Sequence, residues 1–204
     1  MNNVIHIADF FSNEIRGGGE LVDEIVVSSL VERGYNVTRI KSRQVTEKLV
    51  KDNADKLFII SNFVMLNPVC VRLLQTCDYV IYEHDHKYIV GRDPSPYKDY
   101  KVPANNLTNL EFFRNAKAVF AQSKLHTEVI RKNIREANVI NLGCSLWSDE
   151  ELDILQEYVD SEKNGKMAVL NSTNKIKGTA QAKSFCEKND IDYNLIVSLD
   201  YNNF

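Results

Sequence analysis

Short apolar runs recur along the chain, and between them apolar positions return every three or four residues. Val4 to Phe10, Val37 to Ile40, Leu57 to Ser61, Val80 to Tyr82, Ala118 to Ser123 and Val139 to Gly143 each read as a strand. Leu57-Phe58-Ile59-Ile60 shows no polar alternation, which is the pattern of a strand covered on both faces. Leu21, Val22, Ile25, Val26, Leu30 and Val31 recur at helical spacing, with Gly34 as a C-terminal stop. Pro68 to Thr76 fits a short helix with proline in its first turn, and Leu107 to Asn115 a helix with a heavy apolar face. Ser123 is placed to cap a helix carrying Leu125, Val129 and Ile130. Lys41 to Asp55 reads as a polar linker with some helix. Strands alternating with helices at this rhythm predict an α/β fold: a doubly wound, mostly parallel sheet with right-handed crossovers.

The pattern restarts late in the chain. Ser148 with Glu151 forms a capping box opening a helix to about Val159, and the polar stretch Asp160 to Lys166, with Gly165, marks a boundary. Met167 to Ser172 then reads as a strand, Lys175 to Gly178 as a loop, Thr179 to Lys188 as a helix and Tyr193 to Leu199 as a strand. The predicted organisation is a first domain over 1–146, a linker helix over 147–165 and a single βαβ unit over 166–204.

Composition narrows the function classes. The 204 residues are 44% hydrophobic and 26% charged, as in ordinary globular proteins, and the formal net charge of -3 disfavours a surface devoted to nucleic-acid phosphates. No apolar run reaches the roughly 18 to 20 residues of a membrane span. The N-terminus has neither a basic region nor a cleavable apolar segment, so a cytoplasmic location is the default expectation. Cys70, Cys77, Cys144 and Cys186 form no CxxC pair, which argues for small buried thiols over a disulfide framework or thiolate zinc site.

Candidate chemistry concentrates in Asp78-Tyr79-Val80-Ile81-Tyr82-Glu83-His84-Asp85-His86-Lys87, where an apolar strand delivers five ionisable residues in a row. Unpaired burial of so many charges is too costly, so Glu83 to Lys87 must lie where the strand leaves the sheet. In open α/β sheets that carboxyl edge is where ligands bind. His84 there can exchange protons near neutrality, and Asp85 can orient an imidazole or accept from a hydroxyl. A plain strand-end hydrogen-bonding role competes with both readings. His84-x-His86 has metal-ligand spacing, but no further His or Cys cluster completes a site, and no metal is read. Gly17-Gly18-Gly19-Glu20, between the first strand and its helix, lets a ligand approach the backbone at a helix N-terminus. A plain tight turn explains the glycines equally well. The stretch is neither GxGxxG nor a P-loop, which disfavours a nicotinamide-dependent oxidoreductase. Arg39, Lys41 and Arg43, and Lys124, Arg131, Lys132 and Arg135, read as solvated charge rather than a nucleic-acid face.

Three motifs together resemble a retaining, family 4-like glycosyltransferase of the GT-B fold, chiefly its N-terminal Rossmann-like domain. They are the first strand running into Gly17-Gly18-Gly19-Glu20, His84-Asp85 at the fourth strand's end, and the strand-to-helix step Phe120-Ala121-Gln122-Ser123-Lys124. Met167 onward resembles the start of that family's donor-binding domain, with Lys175-Ile176-Lys177-Gly178 as its Lys-Gly loop. The resemblance implies His84 beside the transferred sugar with Asp85 assisting. It implies Gly17, Gly18, Gly19, Glu20, Ser123, Lys177 and Gly178 as nucleotide-sugar contacts, with Lys177 on the donor phosphates. The nucleotide sugar is then a substrate, no separate cofactor is expected, and the acceptor is unassigned. A whole GT-B enzyme has a second Rossmann-like domain, whereas one βαβ unit of it is present; either the chain is truncated, with transferase activity expected once the donor-binding domain is completed, or it works with the acceptor half alone. The other reading is a non-catalytic Rossmann-like binding or scaffold protein, oligomeric if Val169, Leu170, Phe185, Leu195, Ile196 and Val197 pair with another copy.

Overall fold

A computed structural model describes residues 3–159, 161–173 and 175–197. The chain divides into two compact units, Met1–Ser148 and Asp149–Phe204. The first unit is built on β1 (Asn3–Ala8), β2 (Asn36–Lys41), β3 (Leu57–Ile60), β4 (Asp78–Glu83), β5 (Val119–Ala121) and β6 (Val139–Asn141). They form one parallel sheet in the order β2-β1-β3-β4-β5-β6. Its helices are α1 (Gly18–Glu32), α2 (Glu47–Asp52), α3 (Pro68–Leu74), α4 (Leu110–Arg114) and α5 (Lys124–Asn133).

Side chains alternate across each strand, so the sheet has two different faces. One carries Ile5, Ile7, Phe58, Ile60, Tyr79, Ile81, Val119 and Ala121, all buried in a core with Val50 of α2, Leu74 of α3, Phe112 and Phe113 of α4 and Ile130 of α5. Tyr79 stacks on Phe112 with ring centroids 4.8 Å apart, and its hydroxyl donates to the Phe112 carbonyl at 2.6 Å. Removing one such ring typically costs about 3–5 kcal/mol. The other face carries His6 and lies under α1, whose buried Asp23 approaches it.

Local chemistry sets the element ends. Gly34, at φ 83°, closes α1, and the Tyr35 amide returns to the Leu30 carbonyl. Asn67 caps α3 through the Val69 amide, with Pro68 in its first turn, and Thr46 caps α2 through the Leu49 amide. The helix expected from Leu107 begins only at Leu110, because Asn109 is left-handed (φ 53°) and Leu107 bridges to Ile89 instead. The polar linker after β2 becomes a 3-10 turn, Ser42–Gln44, followed by α2.

After β1 and β2 the chain returns to lay β3 on the other side of β1, so connections leave β1 and β3 in opposite directions. That topological switch point opens a crevice at the carboxyl edge. Asp9 fixes its floor: the carboxylate accepts the Val64 and Met65 amides at 2.9 and 3.0 Å and the Ser42 hydroxyl.

The second unit contains α6 (Asp149–Val159), β7 (Met167–Leu170), α7 (Thr179–Lys188) and β8 (Tyr193–Ile196), with β7 and β8 parallel. Val169 and Cys186 are buried there, while Leu170, Phe185, Leu195 and Val197 are exposed. Of the strand expected over Tyr193 to Leu199, residues 198 and 199 lie outside the described residues. Among the described residues no helix is long and apolar enough to cross a membrane.

Candidate active site

Every candidate of the first unit sits at the carboxyl edge of the sheet. Gly17 is the N-cap of α1, and Gly18, Gly19 and Glu20 form its first turn, so the glycine stretch is a helix start rather than a loop. Gly17 supplies no side-chain cap, and the Glu20 carboxylate folds back against it. Gly19 lies directly under the His84 ring: a Cβ built on it would meet the ring carbons and Nδ1 at 3.4–3.6 Å.

His84 follows the last residue of β4, and both its nitrogens are engaged. Gln122 donates from Nε2 to His84 Nδ1 at 2.9 Å, while Gln122 Oε1 accepts from the Ser145 hydroxyl at 3.1 Å. That polarity leaves the ring proton on Nε2, which faces Asp23 Oδ1 at 3.3 Å. The other oxygen of Asp23 lies 3.8 Å from His6 Nε2, and this nitrogen also meets the Ser61 hydroxyl at 2.9 Å. Burial holds the His6 pKa below its usual value against the pull of Asp23. Asp23, on α1, is therefore shared by two imidazoles from β1 and β4. The sequence reading misses it because Asp23 stands among the apolar positions of an amphipathic helix; one buried acid in that stripe was the available signal.

The charged run around His84 is partly buried after all, and its buried charges are paired. Glu83 is wholly buried; its Oε1 accepts the Asp85 amide at 2.8 Å and the Lys87 amide at 3.3 Å, with Lys87 Nζ also at 3.3 Å. Lys87, itself buried, reaches Asp85 Oδ1 at 2.5 Å, and Arg92 binds Asp85 Oδ2 at 2.7 Å. Burial opposes the ionised form of Asp85, but the charges of Lys87 and Arg92 prevail and hold its pKa low. Asp85 thus neutralises cations, and the acid that orients the His84 imidazole is Asp23.

His86 does not continue the strand alternation with His84, because β4 ends at Glu83 and His86 adopts φ 59°. It bonds the Tyr88 hydroxyl through Nδ1 at 2.8 Å and meets His126 edge-on, centroids 4.6 Å apart. Desolvation lowers the pKa of both rings, that of His126 to about 4. The fold thus brings His6 and His84 together on Asp23, and His86 against His126, from distant parts of the sequence; among the described residues no group of three metal-binding side chains is placed to hold an ion. Ser123 caps α5, accepting the His126 amide at 3.1 Å, so its hydroxyl is committed to the helix. Lys177 and Gly178 belong to the second unit, Lys177 exposed in a 3-10 turn and Gly178 at φ 70° as the N-cap of α7.

No family model matches the sequence, and no curated protein matches it either. Solved structures do. An alpha-glucosyltransferase in complex with UDP and a 13-mer DNA containing a central A:G mismatch aligns over 96% of this chain and 55% of its own, with TM-score 0.54 and 14% identity. An alpha-glucosyltransferase in complex with UDP aligns over 98% and 59%, with TM-score 0.54 and 15% identity. The chain thus spans little more than half the length of these neighbours. At such identity the likeness is one of fold: a Rossmann-like α/β fold of the GT-B glycosyltransferase type.

Proposed function

We propose that this chain takes part in transferring a sugar from a nucleotide-sugar donor to an acceptor, with the reacting groups meeting at His84. The observation that carries the reading is the placement of His84. It stands at the crevice where ligands bind in open α/β sheets, its ring fixed by Gln122 and Asp23 and seated on Gly19 at the uncapped start of α1. A helix N-terminus and its amides favour anions, which suits the phosphates of a nucleotide sugar or a developing charge. His84 would position the transferred sugar, Asp23 and Gln122 would hold its ring, and Lys177 with Gly178 would contact donor phosphates. Retention of anomeric configuration in the manner of family 4 belongs to the same proposal.

Saturation-transfer NMR of the 204-residue chain against a panel of uridine, guanosine and adenosine diphosphate sugars tests it. Binding of at least one, weakened in His84→Ala, is the expected result. A chain that binds none refutes the proposal. A second reading, a non-catalytic binding protein that self-associates, draws on the exposed Leu170, Phe185, Leu195 and Val197 of the second unit. Light scattering after size exclusion checks it, and a strict monomer removes the self-association.

A further inference from the structure

A groove of about 830 Å³ runs between α3 and α4, bounded by the 63–66 and 87–92 loops. Its volume is that of a small-molecule site, and it lies on the core side of the sheet, the face opposite His6 and α1. Phe63, Leu66, Val71, Leu110 and Phe112 provide an apolar floor. A bond from the Asn115 side-chain amide to Gln75 Oε1, at 2.9 Å, joins the two helices beside Gln75, which lines the groove.

The charged lining is one-sided: Arg72, Lys87, Arg92 and Arg114 against Glu111 alone. Three of these cations are already matched. Lys87 pairs with Glu83 and Asp85, Arg92 with Asp85, and Arg114 with Glu111 and Glu136 at 2.6 and 3.1 Å. Arg72 is exposed, and its guanidinium makes no hydrogen bond or ion pair among the described residues. A polyanion needs a row of free cations, which this groove does not offer. One free guanidinium above an apolar floor suits a single anionic head on an apolar body.

We propose that this groove binds a small amphipathic anion, a phosphate monoester or carboxylate on a short apolar chain, with Arg72 holding the head and Leu66, Val71 and Leu110 the body. The proposal goes beyond the sugar-transfer reading and does not depend on it.

The test is titration calorimetry of the 204-residue chain with hexyl phosphate and heptanoate, alongside inorganic phosphate and hexanol, with ¹⁵N-resolved NMR to locate the site. One of the two amphipathic anions should bind at least about tenfold more tightly than both inorganic phosphate and hexanol. It should shift amides of residues 63–72 and 107–112. Arg72→Gln, an exposed position whose folding circular dichroism confirms, should weaken binding roughly tenfold, as expected for one charge-assisted contact. Leu110→Ala should weaken it with the head group unchanged. Equal binding of hexanol, equal binding of inorganic phosphate, full affinity in Arg72→Gln or binding of neither anion would each overturn the proposal. So would displacement by a short DNA duplex, which would reassign the groove to nucleic acid. Sugar-nucleotide binding measured on the same sample fails or succeeds separately.

Discussion

Lys87→Met is the most informative perturbation of the loop that presents His84. In the folded protein Glu83 Oε1 receives two backbone amides and the Lys87 ammonium, and Glu83 Oε2 has no partner among the described residues. Removing the ammonium leaves a wholly buried carboxylate with two amide hydrogen bonds, worth about 1 kcal/mol each. The desolvation cost of an ion is several kcal/mol, so breaking one side of such a pair costs about 3–5 kcal/mol. Glu83→Gln should cost less, about 1–2 kcal/mol, because an amide oxygen still accepts from the loop and Lys87 keeps Asp85. The double variant no longer holds an uncompensated carboxylate and should recover about 2 kcal/mol or more relative to the sum of the singles. Urea unfolding at pH 7, followed by near-ultraviolet circular dichroism of the buried Tyr79 and Tyr88 in the first unit, measures all three. A Lys87→Met loss below about 1 kcal/mol, or simple additivity, would falsify the claim that this pair holds the loop.

Three further outcomes follow from the same geometry. Gly18→Ala and Gly19→Ala replace helical glycines, with open space at Gly18 and ordinary contact with His84 at Gly19, so each should stabilise the protein by up to about 1 kcal/mol in thermal melts. Only Gly19→Ala adds bulk beneath His84 and should weaken sugar-nucleotide binding; equal binding by both variants counts against Gly19 as part of the site. Ser123→Ala removes the cap of α5 and should cost about 1 kcal/mol in urea unfolding, and no loss would show the cap to be dispensable. The histidines set an acid limit. Folded pKa values of His6, His86 and His126 lie below 6.5, so the fold favours neutral rings; their contribution is complete above 6.5 and fades as pH falls toward the folded values, about 4 for His126. For His126 the loss is at most about 3 kcal/mol. His126→Gln should therefore flatten the fall in urea midpoint between pH 7 and pH 4.5, and an unchanged slope would rule that ring out.

How much of this is legible in the sequence depends on range. The apolar runs predict all six strands of the first sheet, and Ser123, Pro68 and Gly34 mark helix ends, because caps and strand patterns are local. Leu107 to Asn115 fails as one helix because left-handed Asn109 interrupts an apolar face that looks continuous. The candidate site is half visible: His84 stands out at a strand end, but its partners are Asp23 on α1 and Gln122 just past β5, with His6 of β1 sharing Asp23. Strand order alone brings those elements together, and no spacing along the chain encodes it. Charge burial is similarly hidden, because Glu83 and Lys87 compensate each other only once the loop turns back on β4.

The hydrogen-bond polarity around His84 decides which groups the proposed site would accept at this ring. With Nδ1 taken by Gln122 and Nε2 by Asp23, a newcomer gains a contact with this ring only by evicting an incumbent. A ligand donor competes with a neutral amide that can swing toward Ser145, whereas a ligand acceptor must displace a carboxylate whose other neighbour is His6 at 3.8 Å. The two exchanges are unequal, and the first costs less because it strands no buried charge. If His84 lines the proposed sugar-nucleotide site, it would therefore favour hydroxyl and amide donors over anions, adding selectivity while leaving most of the affinity to other walls of the crevice.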